Sequence, residues 1–185
     1  MVSEQEFAAA VRALLDADFK FTVIGGTVVE LALGNRDLGD DIDVFAESPD
    51  ILGEEDVYRA VAEERGWEYG QTWLGTPRIG VRVDGVIVPV EFYDNLYDFY
   101  VPPLILERAQ RVNIAGVRVR LVLLEDHLVL KANSGRQSDL ERLKEVGKYV
   151  KRGRLKVDQD KIFEAASEFD DTEVIIRRLK DAGVI

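Results

Sequence analysis

Apolar positions in the first quarter of the chain alternate between helical and strand spacing. Ser3 and Glu6 have the spacing of a capping box, and an apolar stripe at helical intervals follows them. The stripe consists of Phe7, Val11, Leu14 and Leu15. This pattern predicts a first helix that packs on a sheet. A continuous apolar run then predicts a strand over residues 21–24, and a short helix over 27–33 and a second strand over 42–45 follow.

The middle of the chain favours strands. Residues 54–65 form an amphipathic helical pattern that ends at Gly66, and residues 67–73 are ambiguous, with a short edge strand as one interpretation. Residues 78–83 and 86–92 alternate regularly, and the Asp84-Gly85 pair between them is a strong signal for a two-residue hairpin.

Two further features of this region concern the sheet. Pro89 cannot donate a backbone hydrogen bond, so an edge position or a bulge is expected where it occurs. Residues 108–112 and 117–122 predict two more strands around a turn at Ala115-Gly116.

From Leu124 onward the apolar spacing becomes helical. One helix is expected to end at Gly135, and a longer one covers residues 138–150. Two more are predicted over 159–169 and 173–182, with Asp158 capping the first and Asp171 or Thr172 the second. We therefore expect an α/β (α+β) protein. Residues 1–124 would form a core with a mixed, twisted sheet flanked by helices, and residues 125–185 a helical C-terminal region packed on that core.

Composition excludes several classes of function. The chain has 35 acidic and 24 basic residues and a net charge of -11, which argues against broad, non-specific nucleic-acid binding but allows a local basic groove. One basic stretch, KYVKRGR, covers residues 148–154. The absence of cysteine excludes disulfides, thiolate zinc sites and cysteine nucleophiles, and no apolar run approaches membrane-spanning length. We expect a cytoplasmic protein.

Two aspartates are the first candidates for chemistry. Asp41 and Asp43 enter the second predicted strand, and because strand side chains alternate between faces, both carboxylates project from the same side. Two like charges a few Å apart are unfavourable without a cation between them. Hard oxygen ligands favour Mg²⁺ over zinc, with Mn²⁺ as an alternative. A solvated strand end and a structural calcium site are the competing interpretations.

A third carboxylate lies in the predicted hairpin. In Val90-Glu91-Phe92 an acid interrupts a run that otherwise has the character of a buried strand, and burying a charge without a partner is costly. Asp94 is the rival, although it lies on the opposite face of a regular strand. An exposed glutamate on an edge strand is the simpler alternative.

The Gly25-Gly26 turn between the first strand and the short helix is a candidate phosphate-binding element. Unpaired N–H groups at a helix start favour an anion, glycines allow close approach of a phosphate, and the Thr27 hydroxyl offers another donor. A plain turn is the alternative.

Taken together, these residues resemble the catalytic signature of the DNA polymerase β-like nucleotidyltransferase superfamily. The similarity is greatest to its minimal members, some of which act as toxins or as antibiotic-modifying enzymes. The matching residues are Gly25-Gly26-Thr27, Arg36 and Asp41-Ile42-Asp43. The resemblance implies the nucleotidyltransferase fold and transfer of a nucleoside monophosphate from an NTP such as ATP to an acceptor hydroxyl, with release of pyrophosphate. It also implies that Asp41, Asp43 and Glu91 are the catalytic metal ligands.

The resemblance extends to the segment LEDHLVLKANSGRQSDLERL. There it implies that Lys131 contacts the triphosphate and that Arg136 and Asp139 orient the site, with Arg36 completing the NTP-binding set. A surface lysine whose stem covers apolar atoms is the alternative for Lys131. The chain departs from the family pattern at Gly39, where Ser or Thr is frequent, at the additional acid Asp40, and at Arg142, where a second aspartate is frequent.

The sequence does not specify the acceptor, and three classes are compatible with it: a tRNA end, a small molecule and a protein side chain. An alternative from another class is an inactive nucleotide-binding module that acts through a partner protein, as one component of a toxin–antitoxin pair. A dimer contact through the C-terminal helices is a further hypothesis.

Overall fold

A seven-stranded mixed sheet organises the first part of the computed structural model, which describes residues 1–185. The strands are β1 (Lys20–Val23), β2 (Ile42–Ser48), β3 (Glu68–Gln71), β4 (Pro77–Val83), β5 (Val86–Tyr93), β6 (Gln110–Ile114) and β7 (Val117–Leu121). Their order in the sheet is β3-β4-β5-β2-β1-β7-β6. β2 pairs with β5 and β1 with β7 in parallel, and the other neighbours are antiparallel. The predicted mixed α/β architecture is confirmed.

Contacts divide the chain into two units. The first comprises Met1–Tyr100 and Gln110–Leu121 and contains the whole sheet. Its helices are α1 (Glu4–Leu15), α2 (Thr27–Ala32) and α3 (Glu55–Glu64). The second comprises Val101–Ala109 and Val122–Ile185. Its helices are α4 (Pro103–Glu107), α5 (Leu124–Ser134), α6 (Gln137–Lys151), α7 (Gln159–Ala166) and α8 (Thr172–Ala182). A domain boundary after residue 124 stays a prediction.

Both hairpins form at the turns that the sequence indicates. Asp84 and Gly85 have φ of 46° and 86°, and Ala115 and Gly116 have 45° and 84°. Two consecutive positive φ values are typical of the type I′ turn, whose twist matches that of the flanking strands. Strand β6 begins at Gln110 rather than at residue 108, because Arg108 is the C-terminal cap of α4, a helix that the sequence pattern did not predict.

Pro89 lies in an interior strand, contrary to the expectation of an edge or a bulge. It pairs with Gly80 of β4 in a regular register. On the other side of β5, pairing with β2 begins only at Val90, opposite Ile42. Pro89 therefore lies just beyond the end of that ladder, where the absence of an N–H group leaves no β2 partner unsatisfied.

An aromatic cluster on one side of the sheet fixes the orientation of β5. The rings of Phe19, Tyr58 and Phe92 lie 5.0 to 5.5 Å apart, centroid to centroid, and all three are buried. Because successive strand residues face opposite sides, burial of Phe92 turns Glu91 toward the other face.

Helix α1 covers the sheet much as its stripe predicts. The Ser3–Glu6 capping box forms, and Phe7, Val11 and Leu14 are fully buried. Leu15 is 39% exposed, so it lies at the margin of the stripe rather than within it.

The second unit is helical and is held by close backbone contacts and buried charge. A β-carbon placed on Gly147 of α6 would lie 1.9 Å from the carbonyl oxygen of Ala182 in α8, so only glycine permits this approach. Arg108 forms a forked ion pair with the fully buried Asp126 and a second pair with Glu164. Burial raises the pKa of Asp126, and the Arg108 guanidinium opposes that shift. None of the helices has the length and apolar character that crossing a lipid bilayer requires.

Candidate functional site

Three carboxylates converge on the sheet of the first unit. Asp43 on β2 lies directly opposite Glu91 on β5 in the parallel register, and Asp41 precedes the first residue of β2. One ligand oxygen from each of the three lies within 4.8 Å of the others. Carboxylate oxygens at such separations match the donor set of a hard divalent cation such as Mg²⁺. The structure therefore brings together the three side chains that the sequence singled out as metal ligands.

Arg78 supplies positive charge beside this cluster. It lies opposite Glu91 in the β4–β5 pairing, and its Nε is 3.4 Å from Glu91 Oε1. Its side chain is 47% exposed, whereas that of Glu91 is 18% exposed. The ion pair offsets part of the repulsion among the carboxylates. It is not among the contacts predicted from the sequence.

Tyr93 holds the other oxygen of Glu91. Its phenol donates a hydrogen bond to Glu91 Oε2 at 2.5 Å, and its ring stacks on Phe99 with centroids 5.0 Å apart. Burial raises the pKa of Tyr93 far above its usual range, and the hydrogen bond to Glu91 and the charge of Asp43 add to this effect. The phenol thus stays protonated and remains a donor to Glu91.

Asp94, the rival third carboxylate, lies outside the cluster. It follows the last residue of β5, and its Oδ1 accepts a hydrogen bond from the Asn95 backbone N–H at 2.7 Å. The three carboxylates that approach one another are those of Asp41, Asp43 and Glu91.

Gly25 makes room for one of the metal-ligand candidates. A β-carbon at this position would lie 2.4 Å from Asp43 Oδ2 and 2.5 Å from Asp43 Cβ. The backbone N–H of Ile24 also donates to the carbonyl of Asp43 at 3.0 Å. At Gly26, by contrast, an added β-carbon would meet nothing within 4 Å. The two glycines of the turn therefore have different structural roles.

Thr27 and Arg36 occupy the segment that leads to β2. Thr27 is buried, and its hydroxyl donates to the carbonyl of Leu38 at 3.1 Å, which ties the loop before β2 to the start of α2. The Arg36 side chain is exposed, and its carbonyl accepts a hydrogen bond from Glu4 at 3.0 Å. Phosphate binding by either residue stays a prediction.

The remaining predicted residues form a cluster of their own in the second unit. Asp139 Oδ1 lies 2.9 Å from Lys131 Nζ, and Asp139 Oδ2 lies 2.8 Å from Arg136 Nε. Ser134 donates to Asp139 Oδ2 at 2.7 Å. Burial alone would raise the pKa of Asp139, but the Ser134 hydrogen bond and the Lys131 and Arg136 cations hold it below its usual range. The structure brings Lys131, Arg136 and Asp139 together, and their roles toward an NTP stay predictions.

A known protein family covers almost the whole chain. A model of the family described as "Nucleotidyl transferase of unknown function (DUF2204)" matches residues 3–181. No curated protein matches the sequence. An antigenic nucleotidyltransferase-like protein from Paracoccidioides brasiliensis has a similar fold, with a TM-score of 0.57, 17% identity, and coverage of 97% of this chain and 88% of that one.

The antibiotic-resistance factor ANT(2'')-Ia is also among the structures that match. Its solution structure gives a TM-score of 0.49 at 14% identity, covering 98% of this chain and 91% of that one. Its crystal structure with adenylyl-2"-tobramycin gives 0.49 at 15% identity, covering 96% and 95%.

Proposed function

Because the chain belongs to this family of nucleotidyl transferases, we propose that it transfers a nucleoside monophosphate from an NTP to an acceptor hydroxyl. The main support for the proposal is that one carboxylate oxygen from each of Asp41, Asp43 and Glu91 lies within 4.8 Å of the others. Asp43 and Glu91 lie on the paired strands β2 and β5, and Asp41 lies just before β2. Three carboxylates in this arrangement fit a divalent cation, and the substrate of such a reaction arrives with one bound to its phosphates.

The transfer balances as a displacement at the α-phosphorus. The acceptor oxygen forms a bond to that phosphorus, the bond to the bridging oxygen of the β-phosphate breaks, and pyrophosphate leaves. The acceptor proton passes to Glu91. Its Oε2 accepts a hydrogen bond from the Tyr93 phenol, so the proton goes to Oε1, and Arg78, whose Nε lies 3.4 Å from Oε1, must move aside for this step. Mg²⁺ bound to the three carboxylates, or Mn²⁺ in its place, would neutralise phosphate charge and lower the pKa of the acceptor hydroxyl.

Phosphate binding is assigned to the turn and to the cationic residues. In this proposal the backbone N–H groups of Gly25 and Gly26 contact the phosphates. Gly25 packs against Asp43, where a β-carbon would overlap the carboxylate. Thr27 supports that turn through Leu38, and Arg36 supplies an exposed cation in the same segment.

Lys131, Arg136 and Asp139 complete the NTP-binding set in this proposal. Lys131 is held by Asp139 at 2.9 Å, so its contact with a triphosphate requires an exchange of partners. Arg136 pairs with the same carboxylate, so Asp139 keeps one cationic partner when Lys131 moves to the triphosphate. The acceptor is a hydroxyl of a tRNA end, a small molecule or a protein side chain, and the reaction takes place in the cytoplasm.

Pyrophosphate release with Mg²⁺ and each common NTP, with a cell extract as the source of acceptor, tests the proposal. We expect Asp43→Asn to reduce release by at least about 100-fold, since it removes one of the charges that hold the metal. Asp40→Asn is the matched control, because Asp40 is 87% exposed, pairs with the N-terminus and lies outside the three-carboxylate cluster.

Three results would contradict the assignment. Nucleotide binding without pyrophosphate release would indicate an inactive module that acts through a partner, as in a toxin–antitoxin pair. Preference for Ca²⁺ over Mg²⁺ without nucleotide binding would indicate a structural calcium site. Equal activity of the Asp43→Asn and Asp40→Asn variants would move the reaction away from the carboxylate cluster.

A further inference from the structure

A basic segment of the second unit has no acidic partners. Residues 148–156 contain five cations and no acid, in a chain whose net charge is -11. No aspartate or glutamate carboxylate forms an ion pair with any of these five cations, which are Lys148, Lys151, Arg152, Arg154 and Lys156. Other cations of the same unit, such as those around Asp139, do form ion pairs. Because the protein as a whole is acidic, a cluster of cations without acidic partners creates a local positive potential, which favours binding of an anion.

Three lysines from two separate parts of this unit line one groove. Lys151 is the last residue of α6, Lys156 lies in the segment between α6 and α7, and Lys180 lies in the last turn of α8. We call this feature the basic groove; its volume is about 730 Å³, and no aspartate or glutamate side chain lines it. The carboxylate of Ile185, the last residue of the sequence, also lies at this groove, so the three lysines exceed the acidic groups there by two.

Packing holds one of these lysines in place. A β-carbon on Gly183 would lie 2.8 Å from Lys151 Nζ, so the ammonium group rests on the backbone just after α8. The carbonyl groups at a helix C-terminus attract a cation, so the position of the Lys151 ammonium group is explained in part by the fold itself and does not require a bound ligand. Lys156 and Lys180 are exposed and have no such contact, so they are the residues that an anion would engage.

We propose that the basic groove binds the phosphate backbone of RNA. Lysine ammonium groups act as point charges that suit phosphate oxygens. Beside the groove, the Arg154 guanidinium lies over the Tyr149 ring, 5.1 Å from its centroid, and a base can stack on the outer face of a guanidinium plane held in this way. Leu155 and Val184 of the groove wall are buried and Val150, Val157 and Ile185 are half-buried, so the groove has no fully exposed apolar side chain to insert into a membrane. Its charge alone would attract anionic lipid, so vesicles are included in the test.

Binding of a fluorescein-labelled single-stranded oligoribonucleotide to the full chain, measured by anisotropy over a salt series without NTP, tests this proposal. It stands apart from the transfer reaction, because no turnover is involved. The variant Lys156→Glu/Lys180→Glu is compared with Lys20→Glu/Lys144→Glu, which changes the net charge equally at exposed positions outside the groove.

We expect the groove variant to weaken RNA binding at least tenfold. The slope of log affinity against log salt should fall by about 0.7 for each lost phosphate contact. The control variant should change both quantities much less. Circular dichroism of each variant checks that the helices are intact, and the single variant Lys156→Gln keeps the test valid if the double change unfolds the protein.

Other outcomes overturn the proposal. Failure of the native chain to bind RNA, or equal loss in the groove and control variants, would show that the groove is not an RNA site. Binding of poly-glutamate, or of vesicles containing phosphatidylserine, as tightly as RNA would assign the groove to an acidic protein partner or a lipid surface instead.

Discussion

The carboxylate of Asp43 packs directly over the α-carbon of Gly25, so that a β-carbon at position 25 would lie 2.4 Å from Asp43 Oδ2. A contact this short cannot be relieved by a small adjustment, because Asp43 Cβ would lie equally close, at 2.5 Å. The Gly-Gly turn, read from sequence as a phosphate-binding element, thus also makes space for a metal-ligand candidate.

Replacing Gly25 with alanine should therefore displace the Asp43 carboxylate. We expect pyrophosphate release to fall by at least about 100-fold, comparable to loss of the Asp43 charge itself. The measurement is turnover with Mg²⁺ and NTP, alongside thermal unfolding. Gly70→Ala on the edge strand β3 is the matched control, because nothing lies within 4 Å of the added β-carbon and the residue lies outside the proposed site. Equal loss in both variants would contradict a specific role for Gly25.

The Tyr93 phenol should influence turnover through Glu91. Tyr93→Phe removes the donor to Glu91 Oε2 but keeps the ring that stacks on Phe99. Hydrogen bonds to charged groups contribute about 1.5 to 3 kcal/mol, so we expect kcat to fall roughly 10- to 100-fold with little change in the KM for NTP. Steady-state kinetics separates the two constants.

Tyr97→Phe serves as the control for this change, because Tyr97 is 84% exposed. Unchanged kcat in Tyr93→Phe would show that Glu91 keeps its position without the phenol. A rise in KM alone would instead indicate that Tyr93 acts on nucleotide binding.

Arg78 should compete with the metal for Glu91. Its Nε is 3.4 Å from Glu91 Oε1, so Arg78→Gln leaves the carboxylates without this cation. Because partly exposed ion pairs contribute only about 0 to 1 kcal/mol, we expect Mg²⁺ affinity to rise by up to about fivefold. Isothermal titration calorimetry measures this, with the exposed Arg82→Gln on the same strand as control. Weaker Mg²⁺ binding in Arg78→Gln would show that Arg78 supports the metal site.

Asp139 should stabilise the second unit in a pH-dependent way. Its pKa is held below the usual 3.8, so the ionised form is favoured in the folded state. The stabilisation is therefore present above pH 3.8 and is lost as the pH falls through the lower folded-state pKa. At neutral pH, Asp139→Asn should lower the free energy of unfolding by about 1 to 3 kcal/mol, and this difference should shrink in acid.

Urea unfolding across this pH range measures the effect, and Asp170→Asn is the control at an exposed position. A difference between native and Asp139→Asn proteins that stays constant down to acid pH would show that the charge of Asp139 is not what stabilises the fold.

Local patterns predicted the hairpins and the side-chain alternation correctly. The Asp84-Gly85 turn indicated the β4–β5 pair, and that two-residue turn also fixes its register, which places Arg78 opposite Glu91. The sequence therefore contained the signal for the Arg78 contact. Tyr93 could have been found similarly, because it is two residues from Glu91 and lies on the same face of β5.

Non-local relationships could not be predicted in this way. Pairing of β2 with β5 joins residues 48 positions apart, such as Asp43 and Glu91, and no local pattern specifies which strands become neighbours. The contact between Gly25 and Asp43 depends on how two strands and a turn pack, so the glycine was interpreted from its own backbone freedom alone. Helix α4 was missed because its five residues are too few to show a period.

The position of Pro89 determines where residues can be inserted into or deleted from the β4–β5 hairpin without moving Glu91. Changes at the Asp84-Gly85 turn leave Asp43 opposite Glu91, because pairing with β2 starts only after Pro89. One residue inserted between Pro89 and Glu91 would shift the acid by a single step and turn it to the opposite face of the sheet. Natural length variation should therefore be tolerated at the tip of this hairpin and be absent from the three residues that end at Glu91.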